Sequence, residues 1–329
     1  MSPGVGSASA GLRVLEVHPT LACNVACGFC GLRTLETAGT VRELGGAIGG
    51  EGPARNRLDA RIDWPIRRHV AESLVPLPAL VEAVKAAAEL GCGVLTVSGG
   101  GEPLTTPERT FALLEAGRSV GMQTRIVTNG TLIAPQAQRL AGIDVLTLSI
   151  LGPDAATHDA AAGAPGAFAR VRAGLDRLDT HRPAPRREVH TALTSEVLAR
   201  LPEMADMVVS LGGERWWLLP LKGAPAPEIP AGAAAYASRR GLRHNLGHGD
   251  RTQASSGCVA AESQLVIHAD GTVTPCCAMR WGSGDILDRA LPEVWAGAWL
   301  SGVRGALAAG RRAPSCAACH DPSREEREI

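Results

Sequence analysis

Short aliphatic runs alternate along the chain with longer Ala- and Leu-rich stretches, in which apolar residues recur every three or four positions. The longer stretches predict helices at 78–91, 107–121 and 168–179. The short runs predict six buried strands, at 12–21, 93–99, 123–129, 144–150, 188–194 and 215–221. Strands that alternate with helices in this way are typical of an α/β fold with a parallel sheet, either open or curled into a barrel.

Two segments interrupt this alternation. Residues 32–76 form a Gly-rich insertion after the first strand, and residues 223–256 form a Pro-, Ala- and Gly-rich linker that carries several basic residues. After the linker, the pattern predicts a β-hairpin at 264–277, built on an Asp-Gly turn, and a helix at 292–310. The resulting division is a tail at 1–11, an α/β domain at 12–222, the linker, and a small domain at 257–329.

Composition narrows the classes of function. Lys+Arg and Asp+Glu balance at 33 each, so no overall field draws the chain to nucleic acid or to an anionic membrane. The first residues lack the pattern of a signal peptide, and no stretch approaches the roughly 18 apolar residues of a membrane span. We therefore expect a cytoplasmic protein, in which the nine cysteines are metal ligands or reactive thiols rather than a disulfide framework.

Three of these cysteines, Cys23, Cys27 and Cys30, lie in one short segment directly after the first predicted strand; we call residues 23–30 the cysteine loop. In a parallel α/β fold, ligands bind beyond the carboxyl ends of the strands. Thiolates bind soft metals, and cysteine is the usual ligand of iron-sulfur clusters. Three ligands on a four-iron cluster leave one iron open for a substrate or cofactor. The alternative is a zinc site with His18 as the fourth ligand.

The second predicted strand ends in a glycine-rich turn that contains Gly100, Gly101, Glu102 and Pro103. The cysteine loop, with the aromatic Phe29 between its last two cysteines, followed at this distance by Gly-Gly-Glu-Pro resembles the radical S-adenosylmethionine (SAM) superfamily. Polar residues at the ends of the third and fourth strands add to the resemblance. Nearly the whole chain is covered by it, and the two motifs together are far more specific than either one alone.

This resemblance implies a partial (β/α)6 barrel whose three-cysteine 4Fe-4S cluster binds SAM at its open iron. Reduction of SAM then yields a 5′-deoxyadenosyl radical, which abstracts a hydrogen atom from the substrate. The glycines of the turn would let the backbone approach SAM closely, as part of a site that also includes Glu102 and Pro103. The resemblance places Phe29 near the adenine.

Thr128, Asn129 and Ser149 lie where members of the family contact the methionine or ribose of SAM. An ordinary role in turns and strand ends is the alternative for these three residues. The sequence departs from the family nearby, because Leu151 stands where Asp is frequent and no Arg follows the pair His158-Asp159. We expect His158, like His18 and His190, to be a structural histidine with satisfied hydrogen bonds.

Of the five cysteines that lie after the linker, four form one group. They resemble the ligands of a Twitch or SPASM-like extension, which binds an auxiliary 4Fe-4S cluster through four thiolates. Four ligands close such a cluster, so it would transfer electrons or shape the site instead of binding SAM. The alternative is a structural zinc site, which Cys-x-x-Cys pairs also favour. The four predicted ligands are Cys258, Cys276, Cys316 and Cys319.

Two cysteines remain. Cys92, between a helix and a strand, is predicted to be a small buried hydrophobic residue. Cys277 follows a predicted cluster ligand directly, and it is a spare ligand, a packing residue or a thiol that faces the substrate. In related sugar-modifying enzymes such a thiol returns a hydrogen atom to the substrate radical and inverts a carbon. Cys277 is therefore the candidate hydrogen-atom donor.

The resemblance leaves the substrate open. The first expectation is the oxidation or epimerisation of a secondary alcohol in an aminoglycoside-type sugar or cyclitol, with a flavodoxin- or ferredoxin-like protein as electron donor. The alternative is epimerisation or crosslinking of a ribosomally synthesised peptide. A hypothesis of a different class is a zinc-stabilised binding protein without catalytic activity.

Overall fold

A computed structural model describes the protein at residues 11–30, 74–221, 227–246, 260–276, 284–309 and 311. The cysteine loop, all six predicted strands and most of the predicted C-terminal hairpin fall within these ranges. Most of the predicted insertion at 32–76 and nearly all of the predicted tail at 1–11 lie outside them. Four cysteines named above also lie outside the described residues: Cys258, Cys277, Cys316 and Cys319.

The six predicted strands are confirmed, and each pairs in parallel with the next. Most are shorter than the apolar runs, because the last residues of each run leave the sheet to form the turns at its carboxyl edge. The strands are β1 Val14–Val17, β2 Val94–Val97, β3 Gln123–Thr128, β4 Val145–Ser149, β5 Arg186–Ala192 and β6 Arg215–Leu219.

Helices connect these strands, and the three predicted ones are confirmed to within two residues at each end. Pro107 is the first residue of its helix, where its missing N–H costs nothing. The helices are α1 Leu77–Glu89, α2 Pro107–Ser119, α3 Ile133–Leu140, α4 Ala155–Ala162, α5 Ala167–Leu178, α6 Ser195–Leu198 and α7 Leu201–Ser210. Across the described ranges, no helix is both long and apolar enough to cross a membrane.

The sheet continues on both sides of the six strands. The segment treated above as a linker contains helix α8 Ala233–Arg239 and strand β7 Arg243–His244, which pairs in parallel with β6. On the other side, β8 Gln264–Ile267 pairs in parallel with β1 and in antiparallel fashion with β9 Thr272–Thr274. The predicted hairpin is therefore present, and it extends the main sheet. A further strand, β10 Gly284–Asp285, pairs with β9.

One predicted helix is wrong in its extent. A short helix, α9 Ala260–Ser263, precedes β8. The apolar pattern at 292–310 predicts a single helix, but the structure has two in this range, α10 Leu291–Ala296 and α11 Ala298–Ala308. The break lies at Gly297, whose backbone is extended, with φ −64° and ψ 150°. A glycine loses little by leaving a helix, so the periodic pattern continues across a position where the backbone turns.

The sheet curls into a partial barrel. Leu15 and Val17 of β1 are fully buried on the face that packs against the helices. Glu16 lies on the opposite face, because successive side chains alternate along a strand. The segment after β1 reaches the helix after β4, where the N–H of Ala26 donates to the carbonyl of Ala162 over 2.8 Å. In a flat sheet β1 and β4 would lie about 14 Å apart, so this contact fits a sheet that curves around an interior.

The interior of this barrel carries charged side chains. The carboxylate of Glu188 lies 3.7 Å from Arg125 and 3.6 Å from Arg215, and all three side chains are almost fully buried. The indole of Trp217 donates to the same carboxylate over 3.4 Å, whereas the neighbouring Trp216 packs in the hydrophobic core. A purely structural interior would be filled by aliphatic residues, so the polar interior indicates a place for a polar ligand.

Candidate active site

A cavity of about 470 Å³ opens at the carboxyl ends of β1 to β4. It is lined by the three cysteines of the cysteine loop and by all but one of the predicted cofactor-binding residues. Pro103 is the exception, since it begins a short 3₁₀ turn beside the cavity instead of lining it. The predicted residues that line the cavity are Cys23, Cys27, Cys30, Phe29, Gly100, Gly101, Glu102, Thr128, Asn129 and Ser149.

The glycine-rich turn lies directly against the cysteine loop and its approach. The backbone N–H of Gly101 donates to the carbonyl of Thr20 over 3.0 Å, and that of Glu102 donates to the carbonyl of Ala22 over 2.8 Å. A Cβ atom on Gly101 would lie 2.2 Å from the Ala22 carbonyl oxygen, which is well inside contact distance. The glycine is therefore required for the two segments to meet.

The carboxylate of Glu102 joins the ends of β2 and β3. It is 2% exposed and accepts three hydrogen bonds: 2.7 Å from the Thr128 hydroxyl, 2.7 Å from the Asn129 N–H and 3.0 Å from the Leu104 N–H. Burial raises the pKa of Glu102, and the three donors oppose that rise. The donors compensate for the loss of water around a buried carboxylate, so the group holds two strand ends together.

A polar network ties the cysteine loop to the end of β3. Asn24 donates 2.7 Å to the Thr131 hydroxyl and accepts 2.9 Å from the side-chain amide of Asn129. The side-chain oxygen Oδ1 of Asn129 in turn accepts from the hydroxyl and the N–H of Thr131. Sequence reasoning missed Asn24, although an amide side chain inside a metal-binding loop is a signal that could have drawn attention to it.

The opposite wall of the cavity is apolar. Phe29 and Leu151 line it, and both pack in a small cluster with Ala162 and Ala167. The departure from the family noted at Leu151 therefore replaces a polar contact by hydrophobic surface. This wall suits a flat aromatic group better than a charged one, which fits the position expected for an adenine.

His158 also lines the cavity, and it is structural as expected. Its Nδ1 accepts a hydrogen bond of 3.2 Å from the N–H of Leu151, and burial lowers its pKa to about 4. Asp159 accepts from the N–H groups of Gly166 and Phe168, over 2.6 and 2.8 Å, at the start of α5. The His-Asp pair thus fixes the turn after β4 and the start of α5.

The arrangement disfavours the zinc alternative for the cysteine loop. His18 does not line the cavity, and its Nε2 lies 2.9 Å from Oε1 of Glu16. Within the described part of the chain, no three His, Cys, Asp or Glu side chains are grouped closely enough to hold a single metal ion. Three thiols around a roomy cavity suit a larger group, and thiolate ligands suit iron-sulfur clusters.

Of the remaining cysteines, two are described. Cys92 is 5% exposed in the core, and its thiol donates to the carbonyls of Arg13 and Val94. Burial raises its pKa to about 11, so it is the inert buried thiol that its position predicts. Cys276 is buried just after β9, and its carbonyl accepts 3.0 Å from the Thr274 hydroxyl.

Comparison with known families decides between an iron-sulfur cluster and a zinc site at the cysteine loop. The model of the radical SAM superfamily matches residues 17–183, just over half of the 329 residues. The chain belongs to the radical SAM superfamily. A SPASM iron-sulfur cluster-binding domain matches residues 258–320. The cofactors of this radical SAM protein are therefore SAM, a 4Fe-4S cluster and an auxiliary iron-sulfur cluster.

Three curated relatives carry the name AdoMet-dependent heme synthase, and two of them are described here. The protein from Methanosarcina barkeri is 26% identical over 63% of this chain and 69% of its own length. The one from Nitratidesulfovibrio vulgaris is 22% identical over 60% of this chain and 64% of its own length. The radical SAM chain thus spans about two thirds of these relatives.

Solved structures share the fold. Streptococcus suis SuiB bound to S-adenosylmethionine matches with a TM-score of 0.63 and 16% identity, over 90% of this chain and 66% of SuiB. The structure of anSMEcpe with bound AdoMet and the Cp18Cys peptide matches with a TM-score of 0.61 and 15% identity, over 94% of this chain and 86% of that chain. SuiB has also been crystallised with its precursor peptide SuiA.

Proposed function

We propose that this radical SAM enzyme cleaves SAM reductively and abstracts a hydrogen atom from a substrate held inside the partial barrel. One observation carries the proposal: three thiols, a glycine-rich turn and the polar ends of β3 and β4 converge on a single cavity at the carboxyl edge of the sheet. That is the edge at which parallel α/β folds bind their ligands.

Cys23, Cys27 and Cys30 would hold the first cluster, with one iron left open for SAM. When bound, the reduced cluster and SAM supply the hydrogen-atom abstraction. The chain itself forms the walls of the binding site. The backbone at Gly100 and Gly101 borders the site, and the apolar wall excludes water. The auxiliary cluster would be held by Cys258, Cys276, Cys316 and Cys319.

For the substrate, we favour a peptide. Two proteins of the same fold, SuiB and anSMEcpe, have been crystallised with peptides, whereas none of the comparisons supports the sugar or cyclitol that the sequence first suggested. A tetrapyrrole is the second candidate, because the matched sequence relatives are heme synthases. We propose a flavodoxin- or ferredoxin-like protein as electron donor.

The test of SAM cleavage uses the full chain, reconstituted with iron and sulfide under anaerobic conditions. Wild type with a reductant should release 5′-deoxyadenosine from SAM, and replacement of Cys23, Cys27 and Cys30 by Ala should abolish that release. Cys92→Ala is the matched control, because this thiol lies in the core away from the cavity. Continued release of 5′-deoxyadenosine by the triple variant would refute the assignment.

The same preparation tests whether the product is oxidised or inverted. A substrate radical gives an oxidised product when it loses a proton and an electron, and an inverted centre when it accepts a hydrogen atom. If Cys277 is the donor, an inverted product formed in deuterated water carries deuterium, and Cys277→Ala shifts the product towards oxidation. An unlabelled, oxidised product from wild type would remove Cys277 from this role.

A further inference from the structure

A carboxylate on the inner face of the barrel lies outside the set of residues that line the cavity. Glu16 lies on β1, and its Oε1 is 2.9 Å from His18 Nε2 and also accepts from the Ser98 hydroxyl. His18 and Ser98 directly follow β1 and β2, so all three groups lie at the carboxyl end of the sheet. We call Glu16, His18 and Ser98 the inner carboxylate site.

The inner carboxylate site adjoins the cavity without being part of it. Ser98 immediately precedes Gly99 and Gly100, which line the cavity. On the far side of the barrel, His190 pairs in the sheet with Ser149, which also lines the cavity. Glu16 pairs in the sheet with Thr96 of β2, two residues before Ser98. A substrate that extends from the cavity along the inner face of the sheet would therefore meet Glu16.

The hairpin of the SPASM domain forms another side of the site. The ring of His268, just after β8, contacts the ring of His18 edge to face, with centroids 4.9 Å apart. The Thr274 hydroxyl donates its only proton to the Cys276 carbonyl, so His268 Nε2 is the donor in its 2.9 Å bond to Thr274. This fixes the orientation of His268 beside the inner carboxylate site.

Glu16 is ionised, and one of its oxygens is open as far as the described residues are concerned. Burial raises its pKa, but the hydrogen bonds from His18 and Ser98 and the charge of His18 outweigh this and bring it to about 2. Both bonds go to Oε1, and none of the residues that the structure describes donates to Oε2. The side chain is 25% exposed. Glu188 has a guanidinium group beside each of its two oxygens, whereas His18 occupies only Oε1 of Glu16.

We propose that Glu16 binds a primary ammonium group of the substrate through its open carboxylate oxygen. A guanidinium prefers both oxygens of a carboxylate, and one of them is occupied here, whereas a compact ammonium needs only one. His190 does not compete as a cation, because burial lowers its pKa to about 4. The inference rests on the proposed function, since it names a chemical feature of the substrate of that site.

The test uses matched probes that differ only in this charge. One pair is a short, end-blocked peptide containing lysine and the same peptide with Nε-acetyl-lysine; the other is glucosamine and N-acetylglucosamine. Binding to the reconstituted full chain with SAM is measured by anaerobic equilibrium dialysis. The test variant is Glu16→Gln, which removes the charge. The control variant is Glu214→Gln, because Glu214 is exposed and directly precedes β6, at the amino ends of the strands.

We expect the amine of at least one pair to bind at least about tenfold more tightly than its acetylated twin. Glu16→Gln should abolish this preference, and Glu214→Gln should retain it. A preference in the peptide pair identifies a lysine side chain as the ligand, and one in the sugar pair identifies an amino sugar. Absence of a preference in both pairs overturns the proposal, as does a preference that survives in Glu16→Gln.

The comparison of each amine with its acetylated form on the wild-type protein tests the ammonium site even if Glu16→Gln fails to fold. It also separates this inference from the proposed function. Wild type that releases 5′-deoxyadenosine but does not distinguish amine from amide refutes only the ammonium site. Wild type that releases no 5′-deoxyadenosine refutes the proposed function itself.

Discussion

Glu102 Oε2 accepts a hydrogen bond of 2.7 Å from the backbone N–H of Asn129, so a side chain of the turn after β2 holds the backbone at the end of β3. The same carboxylate reaches Thr128 through its other oxygen. Its three donors all come from protein groups. The structure therefore gives Glu102 a positioning role in addition to the contact with SAM that the family resemblance implies.

Replacement of this carboxylate should destabilise the fold. Each oxygen of Glu102 accepts from one backbone N–H, Oε1 from Leu104 and Oε2 from Asn129. In Glu102→Gln, one oxygen is replaced by an NH2 group, so in either orientation of the amide one of these N–H groups loses its acceptor. We expect the free energy of unfolding to fall by about 2–3 kcal/mol, the cost of leaving a buried donor unpaired. Chemical denaturation measures it. Glu108→Gln is the control, since that side chain is 85% exposed in a surface ion pair with Arg139, and a change of similar size there would contradict the argument.

A methyl group on the glycine-rich turn should disrupt the cysteine loop. Gly101→Ala places Cβ 2.2 Å from the Ala22 carbonyl oxygen and 2.5 Å from the Leu21 carbonyl carbon, which are backbone atoms without freedom to rotate away. We expect less iron bound after reconstitution and a loss of SAM binding. At Gly93 a Cβ would meet nothing within 4 Å. Gly93→Ala should therefore bind iron and SAM like wild type, and equal behaviour of the two variants would refute the prediction.

The amide network predicts a defect in SAM binding that leaves the cysteines intact. Asn24→Ala removes both hydrogen bonds that tie the cysteine loop to the end of β3, so the loop loses its orientation towards the cavity. We expect SAM to bind about tenfold more weakly, equivalent to about 1.4 kcal/mol, with unchanged iron content. Asn245→Ala is the matched control: Asn245 also makes two hydrogen bonds, both to Leu218, away from the cavity.

Local patterns predict most of the site because its parts are local. Each strand and the turn after it lie in one short run of sequence, and parallel pairing brings the carboxyl ends of neighbouring strands to the same edge. That is why the cysteine loop, the glycine-rich turn and Ser149 could be predicted to meet. They do line one cavity.

The parts that could not be predicted depend on contacts between distant residues. Asn24 meets Asn129 across 105 positions of sequence, and no periodicity indicates which side chains form that pair. The pairing of β8 with β1 likewise depends on how the chain returns to its first strand. With only two residues, β7 is too short to produce a pattern. Such contacts are fixed by tertiary packing rather than by propensity.

Iron content tests the ligands of the auxiliary cluster. Replacement of Cys316 and Cys319 by Ala should remove up to about half of the bound iron and destabilise the C-terminal domain, because metal-binding free energy is also folding free energy. The triple variant of the cysteine loop should lose the other share. Iron and sulfide analysis of both variants beside wild type makes the comparison. Unchanged iron in the Cys316 and Cys319 variant would exclude them as ligands.

The last prediction concerns pH. Burial lowers the pKa of His158 and of His190 from 6.5 to about 4. Between pH 6.5 and pH 4 these histidines are protonated in the unfolded chain but neutral in the folded protein. The free energy of unfolding therefore falls as the pH decreases from about 6.5 to about 4. Each histidine should account for about 2 kcal/mol of the loss between pH 7 and pH 5.

His158→Gln tests this linkage. The Gln side chain keeps a carbonyl oxygen that can accept from the Leu151 N–H but does not titrate, so the variant should lose less stability than wild type as the pH falls. His190→Gln should behave in the same direction, and the double variant should combine both effects, provided that the two sites are independent. Urea denaturation at pH 7, 6 and 5 measures the differences. Stability curves of wild type and variants that run parallel in pH would show that neither histidine is held in its neutral form by burial.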